Sequence, residues 1–190
     1  MPTLTAPTRN ITLLLPHLSE SKFFSLLSNV TGVPLAKLQN DLSEFVALLN
    51  SIGVDYLVVG GHAVAFHGHP RLTGDIDFFV RPTRENGVRI MNVLDQFGFG
   101  QLPLQPHDFT TQGRVVQLGR PPNRIDLLTS ISGVNFDDAW QERVQGNLDE
   151  HPVNFLSFDA LIQNKTASAR DKDLLDVKKL LAIASRKRGG

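Results

Sequence analysis

The sequence predicts an α+β fold, with a small mixed β-sheet flanked by helices. Two observations predict it. Short apolar runs that suit buried strands are followed by longer stretches in which apolar residues recur at helical spacing. The 190 residues are 41% hydrophobic, which is enough for one domain with its own core. We therefore expect a single structural domain with helices before, within and after the sheet.

Residues 1–53 are predicted to form an N-terminal helical segment that packs on this core. Apolar residues recur at helical spacing between about positions 17 and 51, and Gly32-Val33-Pro34 divides the stretch into two helices. Gly53 is well placed to end the second helix, because glycine readily adopts the left-handed conformation found after helix ends. Residues 1–10 are rich in Pro and Thr, and we expect them to be ordered only by docking.

Residues 54–190 are predicted to form the main domain, which begins with two buried strands. Tyr56–Val59 is short and continuously apolar, as expected at a sheet centre. Gly60-Gly61 then turns the chain into a short helix, His62–His67. Ile76–Val80 is the next strand.

A longer helix and two more strands follow. Thr83–Phe97 has an amphipathic pattern, with Thr83 as its N-cap and Gly98 as its stop. Val115–Leu118 and Ile125–Leu128 are apolar runs separated by a loop rich in turn residues, which predicts two strands.

The C-terminal part is predicted to be mainly helical. Val153–Leu156 is a last short strand, and Ser157 caps a helix from Phe158 to about Ala169. Asp173–Ile183 forms a further helix. The basic run 186–188 is expected in a solvated tail, and a nucleic-acid role for it is the less favoured alternative.

Composition excludes several classes of protein. The 19 basic and 19 acidic side chains give no net charge, which disfavours a large surface for duplex nucleic acid. There is no cysteine, so disulfides and thiolate zinc sites are excluded. No apolar run reaches the roughly 18 residues of a membrane span. The apolar stretch Ile11–Leu15 lacks a preceding basic region, so it is not predicted to be part of a signal peptide. We expect a cytoplasmic protein.

The strongest chemical signal lies in two neighbouring strands. Asp75 and Asp77 are two residues apart in an extended segment, so their side chains project to the same face. They follow Gly60 and Gly61, whose backbone can approach a phosphate closely. Paired carboxylates beside such a corner are suited to a metal–triphosphate complex.

A third carboxylate strengthens this interpretation. Asp126 lies within an apolar strand, where an acidic side chain is costly unless it faces a cation or a partner. If that strand lies beside Ile76–Val80, three carboxylates converge in an oxygen set suited to Mg²⁺ or Mn²⁺. The alternative is that Asp126 pairs with Arg124 or Arg120.

These features resemble the nucleotidyltransferase superfamily of the DNA polymerase beta type. The shared pattern covers residues 54–80 and consists of an apolar strand, Gly-Gly, a short helix and Asp-x-Asp. A second resemblance covers residues 161–176, where a lysine precedes an Arg-x-Lys-Asp-x-x-Asp pattern. Together with Arg71-x-Thr73-x-Asp75-x-Asp77, it is similar to minimal single-domain enzymes related to the AbiE toxins of toxin–antitoxin systems.

The resemblance implies the fold of that superfamily and a role for each matching residue. Asp75, Asp77 and Asp126 would hold the metals, and Asp126 would also act as general base. Gly60 and Gly61 would contact the triphosphate through backbone N–H groups.

Three side chains are further candidates for nucleotide binding: Arg71, Thr73 and Lys165. A solvated position is the ordinary alternative for Lys165. Asp173 and Asp176 are expected in caps or in ion pairs with Arg170 and Lys172 rather than in catalysis. Three histidines also invite a zinc site, but we favour solvated or helix-packing roles for His62, His67 and His69.

The function that we predict is metal-dependent transfer of a nucleoside monophosphate from an NTP to an acceptor hydroxyl, with release of pyrophosphate. The acceptor, which could be a small molecule, RNA or protein, is not indicated by any motif. Gly61 and Gly74 stand where hydroxyl side chains are frequent in the superfamily. They motivate the alternative of a catalytically silent module that binds a nucleotide or a protein. A toxin with an antitoxin partner is the third possibility.

Overall fold

The computed structural model describes residues 10–13, 40–121 and 124–188. Over these residues the fold is a mixed β-sheet flanked by helices, which confirms the predicted α+β class. Its strands are β1 (Asn10–Leu13), β2 (Tyr56–Val58), β3 (Asp75–Val80), β4 (Val115–Leu118), β5 (Arg124–Leu128), β6 (Val144–Leu148) and β7 (His151–Phe155). They lie side by side in the order β1-β4-β5-β3-β2-β7-β6.

The helices precede, interrupt and follow the strands, as predicted. They are α1 (Asn40–Ile52), α2 (Gly60–Phe66), α3 (Arg84–Leu94), α4 (Phe136–Gln141), α5 (Phe158–Ser168) and α6 (Asp171–Arg188). A π-helical turn at Asp95–Phe99 extends α3, and a short 3₁₀ helix forms at Pro106–Phe109. In the described part of the chain, no helix has both the length and the apolar character needed to cross a membrane.

Strand pairing at the centre of the sheet brings the two carboxylate-bearing strands together. β3 is antiparallel to β2 on one side and parallel to β5 on the other. The adjacency of these two strands, on which the predicted carboxylate cluster depended, is confirmed. The centre is well buried because α1 covers it, where the ring of Phe45 lies against that of Phe78 in β3 with centroids 6.0 Å apart.

Local turn and cap chemistry is as predicted. Gly53 ends α1 with a φ of 72°, and Gly98 breaks the extension of α3 with a φ of 95°. The hydroxyl of Thr83 accepts from the backbone N–H of Asn86, and that of Ser157 accepts from the N–H of Ala160. These residues fix where α1, α3 and α5 begin or end.

Several elements differ from the sequence prediction. The first helix predicted in the N-terminal segment falls within residues 14–39, outside the described residues. β1 adds a strand that the helical interpretation did not include, and it pairs in parallel with β4. The strand β6 and the helix α4 were also missed. α6 continues through the basic run to Arg188, so the tail prediction was wrong for residues 185–188. Lysine and arginine are good helix formers and suit a helix C-terminus, which explains the extension.

Candidate active site

The three aspartates predicted to form the site lie on one face of two neighbouring strands. Asp77 in β3 is directly opposite Asp126 in β5, and Asp75 is opposite Arg124. Because alternate residues of a strand share a face, Asp75, Asp77 and Asp126 project to the same side of the sheet. Asp126 is only 5% exposed, so its charge is largely removed from water.

The two glycines form a close corner against this face. Gly60 opens α2 with a φ of 60°, and a Cβ atom at this position would lie 1.9 Å from Oδ2 of Asp77. A Cβ on Gly61 would lie 2.8 Å from the Thr73 hydroxyl oxygen. Both positions therefore exclude a side chain unless a neighbour moves. The missing hydroxyl at position 61 has a physical reason, since the Thr73 hydroxyl occupies that space.

A contact also lies beside Gly74, the other position at which hydroxyl side chains are frequent in the superfamily. A Cβ on Gly74 would lie 3.3 Å from Cβ of Pro121, in the loop between β4 and β5. Pro121 therefore lies close to Gly74, and a side chain at position 74 would require it to shift by a few tenths of an ångström. The hydroxyl of Thr73 also donates to Oδ1 of Asp75 over 2.7 Å, so it holds the first carboxylate of the cluster.

A cavity of about 670 Å³ opens above the carboxylate face. Its walls come from the start of β3, from β4 and β5, and from the junction of α5 and α6. Every residue that the sequence assigned to the site lines this cavity: Gly60, Gly61, Arg71, Thr73, Asp75, Asp77, Asp126 and Lys165. The fold thus brings together residues that are up to about a hundred positions apart, while their individual roles stay predictions.

A guanidinium group lies between two of the three carboxylates. Arg124 donates from Nε to Oδ1 of Asp126 over 2.8 Å and from Nη2 to Oδ2 over 3.0 Å. The same Nη2 also donates to Asp75. The alternative considered for Asp126, an ion pair with Arg124, is therefore present. Among the described residues, no group of three or more acidic or histidine side chains is arranged to hold a metal ion.

Asp77 differs from its two neighbours in its electrostatic environment. Burial first, and then the negative charges of Asp75 and Asp126, together raise the pKa of Asp77 to about 6. The positive charges of Arg124 and Lys172 oppose the shift without cancelling it. Asp77 therefore holds its proton more strongly than an exposed carboxyl does, chiefly because it is buried.

A second charge cluster borders the cavity where α5 meets α6. The ammonium group of Lys165 lies 2.6 Å from Oδ1 of Asp173 and 2.9 Å from Oδ2 of Asp176. All three side chains are at most 3% exposed. Lys165 is thus neither solvated nor free in the cavity, because its charge is shared between two buried carboxylates.

Further donors complete this second cluster. Asp173 accepts from Ser168 over 2.6 Å and from Arg170 over 2.5 Å. Burial alone would raise the pKa of Asp173, but the hydrogen bonds from Lys165, Ser168 and Arg170 outweigh it and lower the pKa to about 2. The predicted ion pair of Asp173 with Arg170 is confirmed.

Arg71 connects the second cluster to the strand that carries the first. Its Nε and Nη2 each donate to one oxygen of Asp176, both over 3.0 Å, in a bidentate pair. Burial would raise the pKa of Asp176, but the bonds from Arg71 and Lys165 lower it. The predicted partner Lys172 instead lines the cavity, where its charge acts on Asp77.

Among the cavity residues that were not assigned to the site from the sequence, three act on its carboxylates: Gln117, Arg124 and Lys172. Gln117 lies opposite Asp126 across β4 and β5, and its amide donates to Oδ2 of Asp126 over 3.2 Å. The i, i+2 spacing of Arg124 and Asp126 places both on one face and was a usable signal. The position of Gln117 depends on the pairing of two strands and had no local signal.

His67, one of the three histidines considered for a zinc site, serves packing and hydrogen bonding. His67 Nε2 lies 2.8 Å from the backbone carbonyl oxygen of Leu156, and its ring packs edge-on against Phe66 and Phe158. Burial lowers the pKa of His62, and the charge of Asp75 opposes this shift. These observations favour the helix-packing interpretation over a zinc site.

A family model described as a nucleotidyltransferase of unknown function (DUF6036) matches residues 34–185, which is most of the chain. That range includes both charge clusters and the glycine corner. No curated protein matches the chain significantly.

Proposed function

Because the chain belongs to this family of nucleotidyltransferases, we propose that it transfers a nucleoside monophosphate from an NTP to an acceptor hydroxyl and releases pyrophosphate. One observation carries the proposal. Asp75, Asp77 and Asp126 share one face of two adjacent parallel strands, beside the close corner at Gly60. A cavity large enough for a nucleotide opens directly above them.

The charges around the cavity suit a triphosphate. Arg170 and Lys172 line it from the junction of α5 and α6 and Arg71 lines it from the segment before β3, while the carboxylates line it from the strands. Guanidinium groups bind phosphate oxygens in pairs and an ammonium group acts as a point charge. A ligand with several negative charges, accompanied by a cation, would match both walls.

The reaction would require Mg²⁺ or Mn²⁺, and the side chains present fit such an ion in kind. Carboxylate oxygens are the ligands that these hard cations prefer. The shared face of Asp75, Asp77 and Asp126 on two adjacent strands supports the fit, because it presents three carboxylates to one side of the sheet. Asp75, Asp77 and Asp126 would hold the metal, which would supply charge stabilisation for the reacting phosphates.

The residues of the chain would do the rest by positioning and proton transfer. The backbone at Gly60 and Gly61 would approach the triphosphate closely. The acceptor oxygen forms a bond to the α-phosphorus, the bond to the pyrophosphate oxygen breaks, and the acceptor proton moves to Asp126 as general base. For this last step an oxygen of Asp126 must be released by Arg124.

The test is incorporation of label from each of the four α-³²P nucleoside triphosphates into small-molecule, RNA and protein fractions, with and without Mg²⁺. We expect Mg²⁺-dependent incorporation by the wild type and a loss on the order of 100-fold or more in Asp77→Asn. The matched control is Asp138→Asn, an exposed carboxylate on α4, which should retain activity. Full activity in folded Asp77→Asn would overturn the proposal.

A second candidate is a catalytically silent module that binds a nucleotide or a protein. The specific observation in its favour is the engagement of Asp75 and Asp126 by Arg124. Calorimetric titration with Mg-ATP and Mg-CTP separates the two candidates. Binding without transfer to any acceptor fraction would favour the module, whereas transfer would exclude it.

The acceptor and the biological setting are further parts of the proposal. A relation to the AbiE toxins, with an antitoxin as partner, rests on the Arg71-x-Thr73-x-Asp75-x-Asp77 and Lys165 patterns alone. Label recovered in RNA or protein, together with toxicity on expression that Asp77→Asn abolishes, would support a toxin. Label recovered only in a small molecule would count against it.

A further inference from the structure

Arg124 is placed to act as a cation built into the carboxylate cluster. It is paired with Asp75 across the parallel strands and precedes Asp126 by two residues on the same strand. Its guanidinium therefore reaches both carboxylates from one position. Three hydrogen bonds result, two to Asp126 and one to Asp75. The side chain is 26% exposed and faces the cavity, so it can leave without unfolding the sheet.

The contacts of Arg124 use the same oxygens that a metal would need. Both oxygens of Asp126 and one oxygen of Asp75 accept from the guanidinium. A bidentate guanidinium–carboxylate pair is among the stronger hydrogen-bonded contacts in proteins. A divalent cation cannot bind these oxygens at about 2.0–2.2 Å while the guanidinium remains between them.

We propose that Arg124 is a resident counter-ion that competes with the divalent metal and must release Asp75 and Asp126 before the metal binds. The inference rests on the proposed function, because it concerns the metal of that reaction. The apparent affinity for metal alone is then the intrinsic affinity multiplied by the fraction of molecules in which Arg124 has released both carboxylates.

Release of Arg124 links metal binding to nucleotide binding. The freed guanidinium stays within the cavity that Arg71 and Lys172 also line, where the phosphates of an NTP would be its new partners. A triphosphate would thereby stabilise the released position and raise the affinity for metal. By linkage, the metal raises the affinity for nucleotide by the same factor. The carboxylate cluster thus has a low affinity for metal alone and a higher affinity for metal when a nucleotide is also bound.

The test is Mn²⁺ binding measured by electron paramagnetic resonance, with and without a non-hydrolysable NTP. We expect Arg124→Met to bind Mn²⁺ alone at least about tenfold more tightly than the wild type. The nucleotide should raise Mn²⁺ affinity in the wild type and much less in Arg124→Met. The matched control is Arg120→Met, which removes an exposed positive charge from the neighbouring loop and should change the affinity by less than about twofold.

A second variant separates displacement from simple charge removal. Arg124→Lys keeps the positive charge but cannot form the bidentate fork. We expect Arg124→Lys to bind Mn²⁺ alone more tightly than the wild type. Unchanged or weaker Mn²⁺ binding by folded Arg124→Met, or wild-type affinity in Arg124→Lys, would overturn the inference.

A measurement on the wild type keeps the inference testable if these variants do not fold. The Nε–H resonance of Arg124 should shift when Mg²⁺ and the nucleotide analogue are added, because its acceptor changes. An unchanged resonance at saturation would overturn the inference. Failure of the proposed function has a different signature: the wild type would bind neither Mn²⁺ nor the Mn²⁺–nucleotide complex. Mn²⁺ binding that needs Asp77 but is indifferent to Arg124 would reject the inference alone.

Discussion

The two charge clusters on either side of the cavity differ in how completely their charges are balanced. In the α5–α6 cluster, buried Lys165 lies between Asp173 and Asp176, and hydrogen bonds hold the pKa of Asp173 down at about 2. In the sheet cluster of Asp75, Asp77 and Asp126, one guanidinium bonds two of the three carboxylates, and the pKa of Asp77 rises to about 6. In the first cluster hydrogen bonds outweigh burial and stabilise the charged carboxylate, whereas in the second burial prevails at Asp77. A functional site is expected to show the second pattern.

The largest fall in the free energy of unfolding should come from removing the cation of the α5–α6 cluster. Lys165→Met leaves Asp173 and Asp176 buried without their shared cation, so we expect the free energy of unfolding to fall by about 3–5 kcal/mol. Urea denaturation followed by circular dichroism measures it. The control is Lys178→Met, which removes an exposed lysine of α6 and should stay within about 0.5 kcal/mol. Equal stability of the two variants would show that the buried cluster does not hold α5 to α6.

The next largest fall in the free energy of unfolding should come from adding a side chain at Gly60, which lies against Asp77 of the sheet cluster. Gly60→Ala places a methyl group against Oδ2 of Asp77 at a φ of 60°, so we expect a loss of about 2–4 kcal/mol in unfolding free energy. Gly53→Ala is the matched control, because Gly53 has a similar φ of 72° and nothing within 4 Å of an added Cβ. It should show the backbone cost alone, about 1–2 kcal/mol. The difference between the variants measures the space that Asp77 requires.

Replacement of Asp77 by asparagine should change the free energy of unfolding in the opposite direction to the same replacement at Asp173. The pKa of Asp77 is raised from 3.8 to about 6 in the folded protein, so ionisation of Asp77 costs stability as the pH rises through that interval. Asp77→Asn should therefore stabilise the metal-free protein at pH 7 by about 3 kcal/mol. The gain should vanish below pH 4, where Asp77 is protonated in both states. Denaturation in EDTA across pH 3–8 measures this dependence.

Asp173 provides the comparison for this pH series. Its pKa is lowered from 3.8 to about 2, so its contribution is present above pH 4 and is lost as the pH falls toward 2. Asp173→Asn should destabilise the protein at pH 7, and the deficit should shrink in acid. If Asp77→Asn also destabilises the protein at pH 7, the contrast between the two clusters is wrong.

Sequence patterns predicted the parts of these clusters that depend on local geometry. The shared face of Asp75 and Asp77 follows from strand alternation, and the caps at Thr83 and Ser157 follow from short-range hydrogen bonding. The strand β6 was missed because Val144–Leu148 has few apolar residues, as an edge strand allows.

The long-range contacts could not be predicted in the same way. The register that sets Asp77 opposite Asp126 joins residues far apart in sequence, and the packing of the whole sheet decides it. The bridging role of Arg124 depends on that register. Burial of Lys165 likewise depends on how α6 folds back onto α5, since only there do Asp173 and Asp176 surround its ammonium group. An isolated lysine on a helix carries no sign of such a partner.

The smallest change in the free energy of unfolding should come from removing the hydroxyl of Thr73, which lies between Gly61 and Asp75. Thr73 donates to Asp75 and fills the space beside Gly61. Thr73→Val keeps the shape of the side chain but leaves an Asp75 oxygen without this donor. We expect a loss of about 1 kcal/mol in unfolding free energy, with a larger proportional loss of nucleotide transfer because Asp75 is no longer held in place. Thr73→Ser is the control, since it retains the hydroxyl and should retain most of the activity. Similar transfer rates in the two variants would mean that the position of Asp75 is set by Arg124 alone, and the carboxylate cluster would then depend entirely on its built-in cation.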